Sequence, residues 1–179
     1  SRVLPLYNLD VIRAIDTFVV ENEKSARKFI KQVCPEKVQA DLDIYILNKD
    51  TEPEEMLDLI KLFDQNKTIG IISEAGLPAV ADPGAQLVKV AQQKRIQVVP
   101  LVGPSSILLA LMASGMNGQN FAFHGYLPID KTERKKKLAH LEAESAKTGV
   151  SQIFMDTPYR NNQMVDDLTK IRRAETKIC

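Results

Sequence analysis

The strongest constraint on this chain is a repeated alternation. Short β-branched or apolar runs are each followed by a polar turn and then by apolar residues at helical spacing. Residues 17–20 (Thr17, Phe18, Val19, Val20) form the first such run, and Ala26, Phe29, Ile30 and Val33 then share one face of a helix over 22–33. Ile44, Tyr45, Ile46 and Leu47 make a second strand-like run over 43–47, and residues 68–72 a third. Between them, Thr51 with Glu54 three residues later and Pro53 in the first turn predict a capping box, opening a helix that runs to about Phe63. A helix over 85–94 precedes an almost wholly apolar run over 96–102, read as a further strand. Pro104 then opens a helix through Ser114, which Gly115 stops. Ahead of all these, Asn8 or Asp10 is placed to cap a short helix carrying Val11, Ile12 and Ile15. Strands alternating with helices predict an α/β fold with a largely parallel sheet, covered on both faces.

Residues 116–120, with Asn117, Gly118 and Asn120, lack apolar periodicity and read as a linker. Beyond it the pattern gives a strand over 121–127, a basic helix over 132–147, a strand over 151–156 and a helix over 158–171. The expected organisation is therefore an N-terminal α/β lobe over 1–115, the linker, and a smaller C-terminal α/β lobe over 121–179, with a cleft between the lobes. Both ends read as cut: residues 176–179 look like an opening strand, and Ser1 stands just before a helical pattern.

Charge is nearly balanced, 24 Lys+Arg against 23 Asp+Glu, so no global footprint for nucleic acid exists and DNA is not an expected partner. Cys34 and Cys179 belong to no CxxC, which argues against a zinc framework or disulfide scaffold and for reduced thiols. With two histidines in the chain, a metal centre is not expected. No run approaches the ~18 to 20 apolar residues of a membrane span, and the first residues do not resemble a signal peptide. The expected location is cytoplasmic, with no membrane partner.

Chemistry concentrates in turns at strand ends, where ligands bind in open parallel sheets. Ser73, Glu74, Ala75, Gly76, Leu77 and Pro78 leave the third strand, and Asp82 is placed as an N-cap with Pro83 at the first helical position. Gly103, Pro104, Ser105 and Ser106 repeat the arrangement, with free N–H groups and hydroxyls suited to a carboxylate, ribose or phosphate. Taken singly, each loop also fits a plain βα connection. Neither is a G-x-G-x-x-G or an NTPase phosphate loop. His124, in the Phe123 to Tyr126 stretch, is either a titrating group or a packed one, and His140 reads as surface. Arg160 is matched to an anion or to a salt bridge with Asp166 or Asp167. Arg134, Lys135, Lys136 and Lys137 spread around a helix and read as a solvated face, with RNA contact as the alternative.

Four ordered motifs carry a resemblance: Ser-Glu-Ala-Gly-Leu-Pro, Ala-Asp-Pro-Gly, Val-Pro-Leu-Val-Gly-Pro-Ser-Ser and Phe-His-Gly-Tyr-Leu-Pro. Together they resemble the tetrapyrrole (corrin/porphyrin) methylases, and within these the bacterial branch that methylates a cytidine ribose 2′-oxygen of small-subunit rRNA. The resemblance implies a two-lobed α/β fold, S-adenosylmethionine as methyl donor without a metal, and a homodimer acting on rRNA or a small-subunit particle. It implies donor contacts from residues 73–78 and 103–106, with Phe123, Tyr126 and Thr157 closing the pocket. Glu74 and then His124 are the candidate catalytic groups. Gly76-Leu77-Pro78 departs from the Gly-Asp-Pro of porphyrin and corrin methylases and weakens a tetrapyrrole or other small-molecule substrate. A donor- or RNA-binding module without turnover is the remaining alternative.

Overall fold

The computed structural model describes residues 3–65, 67–171 and 173–179; Ser1, invoked above for the start of the chain, lies outside them. Two compact units are present, one ending at Ser105 and the other comprising Ser106–Cys179.

In the first unit β1 (Thr17–Val20) lies between β2 (Asp43–Ile46) and β3 (Ile69–Ile72), in the order β2-β1-β3. Both pairings are parallel, with Thr17 opposite Asp43 on one side and Ile69 on the other. All four β1 residues are buried, as a strand covered on both faces requires. Because side chains alternate along a strand, Phe18 and Val20 enter one core and Val19 the other. The first core joins them to Ile12 of α1 (Leu6–Ala14) and to Ala26, Ile30 and Val33 of α2 (Glu23–Val33). The second joins Val19 to Leu47, to Leu59 of α3 (Pro53–Lys61) and to Leu87 of α4 (Gly84–Gln93). Each fully buried large side chain contributes roughly 1.5–3 kcal/mol relative to exposure. The Phe18 ring lies across Gly70, its register partner on β3: a Cβ there would be 2.8 Å from Phe18 Cδ1.

Several boundaries differ from the sequence expectation. The α1 helix begins at Leu6 behind Pro5, so neither Asn8 nor Asp10 caps it; Asn8 is buried inside the helix and its Nδ2 donates to the Val102 carbonyl at 2.8 Å. The capping box forms one residue later than expected, between Glu52 and Glu55, while Thr51 Oγ1 accepts from the Asn48 N–H. Residues 96–102 are not a strand. Pro100 has no N–H to offer a ladder, β3 pairs only with β1, and Val99 and Val102 are exposed.

The second unit contains α5 (Ser106–Ser114), β4 (Phe121–Tyr126), α6 (Lys131–Thr148), β5 (Ser151–Met155) and α7 (Asn161–Ile171), with β4 and β5 parallel. Leu127, Leu138, Leu141 and Met164 form its core. Asp130 caps α6 by accepting from the Glu133 N–H, and Gly149, at φ 71°, ends it. The expected linker is an ordered turn: Asn117 Oδ1 accepts from the Gln119 and Asn120 N–H groups, and its Nδ2 donates to the Gly149 carbonyl. Residues 176–179 do not form a strand; Thr176 Oγ1 instead donates to Glu142 on α6. Among the described residues, no helix is long and apolar enough to cross a membrane.

The basic run on α6 is not uniformly solvated. Arg134 is 1% exposed, and its Nε and Nη2 donate to Asp167 Oδ2 on α7 at 3.0 and 2.7 Å. Its Nη1 donates to the Pro128 and Ile129 carbonyls. Four charges in sequence cannot reveal that the first of them points inward at a carboxylate on a helix formed 33 residues later. Truncating one partner of a buried ion pair leaves the other uncompensated, at about 3–5 kcal/mol. Arg134→Ala is therefore expected to lower the urea stability of the second unit by about that amount, while Arg134→Met with Asp167→Leu loses much less; circular dichroism in urea checks both.

Glu142 generates a pH prediction. Hydrogen bonds from Thr176 Oγ1 and the Arg173 N–H hold its carboxyl below the ordinary glutamate range. A depressed folded pKa contributes stability above the unfolded value and loses it as pH falls through the folded one. Glu142→Gln should lower stability at neutral and basic pH by a constant amount and flatten the acid limb of the profile, so that the two proteins converge at low pH in thermal melts.

Candidate donor-binding site at the strand ends

Because β1, β2 and β3 are parallel, their carboxyl ends share one edge of the sheet, and the segments leaving them converge there. From β3 the chain enters residues 73–84, which contain three left-handed residues: Gly76 at φ 72°, Ala79 at 66° and Ala81 at 54°. Such a conformation costs a non-glycine residue roughly 1–2 kcal/mol, so the loop holds its path only through fixed partners. Asp82 supplies one set: its Oδ1 accepts from the Ala79 N–H at 2.9 Å and the Gly84 N–H at 2.8 Å. The α4 helix starts at Gly84, one residue before the expected 85, with Pro83 as its cap residue rather than its first helical one and Asp82 still satisfying the Gly84 N–H.

A second set comes from β1 and α2. Glu21, the residue after β1, accepts the Glu74 N–H on Oε1 at 2.8 Å. The Glu74 carboxylate accepts from Ser25 Oγ, and the Ser25 N–H is held by the α2 cap residue Asn22 at 3.1 Å. Burial pushes the Glu21 carboxyl above its ordinary range, opposed by the Glu74 N–H and reinforced by a carboxyl–carboxyl hydrogen bond with Asp82 and the charges of Asp82 and Glu74. Glu21 was not among the residues read as functional from sequence. The available signal was positional: it follows β1 as Ser73 follows β3.

The second glycine-bearing turn reaches the first. A Cβ at Gly103 would lie 3.0 Å from Leu77 Cδ2, so the Leu77 side chain packs close against the bare backbone of this turn. Asn8 fixes the approach by binding the carbonyl of Val102, and Ser105 beyond it is buried. Glu74, Ala75 and Gly76 are exposed, and nothing lies within 4 Å of a Cβ at Gly76, which leaves the backbone there open to a ligand. The crevice lined by Glu21, Asp82 and Gly84 is too tight to admit a water molecule. Small-molecule sites run ~300–1,000 Å³, so this crevice does not admit a nucleoside-sized ligand.

In the second unit the carboxyl ends of β4 and β5 carry the other expected residues. Gly125, at φ 66°, marks a register shift between Phe123 and Tyr126, and Tyr126 is exposed opposite Met155. His124 Nε2 is 2.6 Å from Gln152 Oε1 on the neighbouring strand. Thr157 donates its N–H to Asp156 Oδ1 and accepts from Arg160 Nε at 3.2 Å. Arg160 pairs with Asp156 rather than with Asp166 or Asp167, because its helical turn folds it back onto the strand end while Asp167 is committed to Arg134. His140 is exposed, 3.7 Å from Glu144. Among the described residues, no group of three His, Cys, Asp or Glu side chains is arranged to hold a metal ion.

The family model for tetrapyrrole (corrin/porphyrin) methylases matches residues 4–179. The chain belongs to this family. Curated relatives include the ribosomal RNA small subunit methyltransferase I of Vibrio cholerae, 29% identical over 170 residues that make up 95% of this chain and 56% of the relative. The Halalkalibacterium halodurans protein of the same name is 35% identical over 124 residues, 69% of this chain and 40% of its own length. That of Bacillus subtilis is 30% identical over 164 residues, 91% of this chain and 53% of the relative. The chain thus spans about half the length of the curated relatives it matches. The crystal structure of the methyltransferase CobJ superposes with a TM-score of 0.58 at 13% identity, covering 96% of this chain and 72% of that one, which shows the shared methylase fold.

The packing at the first loop gives a test within this methylase fold. A Cβ at Gly84 would stand 2.6 Å from Asp82 Oδ1 and 3.1 Å from Ile71 Cγ2. Gly84→Ala is expected to displace Asp82 from its two N–H donors and to destabilise the first unit by about 1–3 kcal/mol, read as a lower urea midpoint.

Proposed function

We propose that this chain carries the donor-binding lobe of an S-adenosylmethionine-dependent methyltransferase whose acceptor is RNA, and, as the motif resemblance implies, a ribose 2′-oxygen of small-subunit rRNA. The observation that carries the reading is the approach of the Leu77 side chain to Gly103, which brings a second glycine-bearing turn against the loop leaving the sheet's carboxyl edge. The residues present fit such a donor: the backbone is bare and accessible at Gly76, and α5 begins directly after Pro104 and Ser105. Helix-start N–H groups and serine hydroxyls suit the carboxylate and ribose hydroxyls of the donor. Phe123, Tyr126 and Thr157 are proposed as its further contacts.

When bound, the sulfonium donor supplies an electrophilic methyl carbon. The chain's part is to hold the donor still, since alignment of the reacting atoms accounts for much of the rate in an in-line displacement. The Asp82 and Glu21 bonds fix the loop path before a ligand arrives. A ribose hydroxyl also gains from a group that accepts its proton. Glu74, exposed and oriented by Ser25, is the first candidate, and His124, oriented by Gln152, is the second. No metal takes part in the proposed mechanism. The expected assembly is a homodimer, by resemblance to the family.

An RNA acceptor is favoured over a tetrapyrrole by Leu77, which stands where porphyrin and corrin methylases carry aspartate and occupies its position with an apolar side chain against Gly103. The names of the relatives point the same way. Transfer of labelled methyl to small-subunit rRNA or particles, with none to precorrin-like compounds, is the expected result; the reverse would move the assignment to the tetrapyrrole branch. Donor bound without transfer to either would reduce the chain to a binding module. Gly76→Arg, placed on the open face of the loop, is expected to abolish calorimetric donor binding while the protein keeps its circular dichroism. Unchanged affinity would remove the donor from this loop.

A further inference from the structure

We propose that Glu21 is a positioning residue that holds the loop 73–78 in its ligand-ready path from the end of the central strand. The inference rests on the donor reading above. Glu21 leaves β1, whose register is pinned on both sides by β2 and β3, so its backbone starts from a fixed point on the carboxyl edge. Its Oε1 takes the Glu74 N–H at 2.8 Å across 53 residues of sequence. Within the loop itself the Ser73 hydroxyl reaches the Gly76 carbonyl only at 3.5 Å, too long to fix the turn. The Ser25 hydroxyl restrains the Glu74 side chain, not its backbone. Glu21 therefore sets where the exposed backbone of Ala75 and Gly76 lies, without itself touching a ligand.

The surroundings of Glu21 make this anchor sensitive to protonation. The charged groups facing it are Glu74 and Asp82, both from the loop after β3. From α2 comes neutral Ser25, on Glu74, and from the segment after β2 neutral Asn48, whose Nδ2 approaches the Glu21 carbonyl at 3.5 Å. With two carboxylates opposite and burial behind, the proton is retained to higher pH than on a free glutamate. A protonated carboxyl accepts more weakly from the Glu74 N–H than a carboxylate does. Donor affinity should therefore fall as pH is lowered through the raised Glu21 titration, and not rise.

The test compares the unaltered chain with Glu21→Ala and Glu21→Gln, using calorimetric titration of S-adenosylmethionine from mildly acidic to neutral pH and hydrogen exchange at the Glu74 amide. Loss of a hydrogen bond to a charged acceptor is worth roughly a tenfold change or more. Glu21→Ala is expected to weaken binding about tenfold and to speed exchange at Glu74. Glu21→Gln keeps an acceptor oxygen, so binding stays within about threefold of the original while the pH dependence disappears. Equal losses in the two variants, or unchanged Glu74 exchange in Glu21→Ala, would overturn the proposal. Absence of donor binding by the unaltered chain would count against the donor site alone, and Glu74 exchange would then decide the anchoring. If Glu21→Ala does not fold, the Glu21→Gln pH profile decides: a profile as steep as the original rejects the role.

Discussion

Everything at the candidate site depends on β1 being buried on both faces and paired in parallel on both edges. A strand so placed cannot shift register by one residue without moving Val19 into the core built for Phe18 and Val20. The carboxyl end of the sheet is therefore a fixed edge, and the segments departing from β1, β2 and β3 inherit fixed starting points. The loop after β3 uses that rigidity. Its three left-handed residues would not hold their path alone, and Asp82 and Glu21 grip it at opposite ends from the helix start and the central strand. Loop strain and sheet stability are thus coupled through two carboxylates.

That coupling has an electrostatic cost. Three carboxyl groups, Glu21, Glu74 and Asp82, share a small volume, and burial of Glu21 makes the full charge unfavourable. The fold meets the cost with backbone N–H donors at Ala79, Gly84 and Glu74 and with the Ser25 hydroxyl, rather than with a cation. For a site proposed to hold a sulfonium ion the absence of a competing Lys or Arg among these bonds is advantageous, because residual negative potential near the loop favours a positively charged ligand.

Much of this arrangement was legible in the residues. Phe18 and Val20 against Val19 announce a two-faced strand, the Ala26, Ile30 and Val33 stripe announces its covering helix, and the turn at Gly76 marks the end of β3. What could not be read is contact at long sequence separation. The apolar run 96–102 reads as a strand apart from Pro100, yet among the described residues no strand pairs with it; Ile96 donates its N–H to the Ala91 carbonyl, and Val102 is held by Asn8, 94 residues away. Asn8 in turn reads locally as a helix cap because Asn caps helices well, and only the fold reveals that it is buried. Glu21 was passed over for the opposite reason: a lone glutamate in a polar segment has no local signature, and its role exists only once β3 has brought Glu74 beside it.

The second unit shows how far charge patterning misleads when one residue of a run turns inward. Lys136 pairs with Glu133 on the exposed face of α6, as a solvated stretch should. Arg134 lies two residues earlier and so about 200° around the helix, which directs it at the core rather than at water. Its guanidinium meets Asp167 and the two carbonyls ahead of the helix, joining the end of β4, the start of α6 and the middle of α7. Asp167 is consumed by that contact, so Arg160 turns to Asp156 at the end of β5 and orients Thr157 through Nε. A single buried pair thus determines which partner the neighbouring arginine takes, and through it the setting of a residue at the strand end. An RNA-binding role assigned to the basic run as a block is therefore too coarse. Lys136 is exposed and paired with Glu133, Lys135 and Lys137 are half-buried, and Arg134 is spent on holding the unit together.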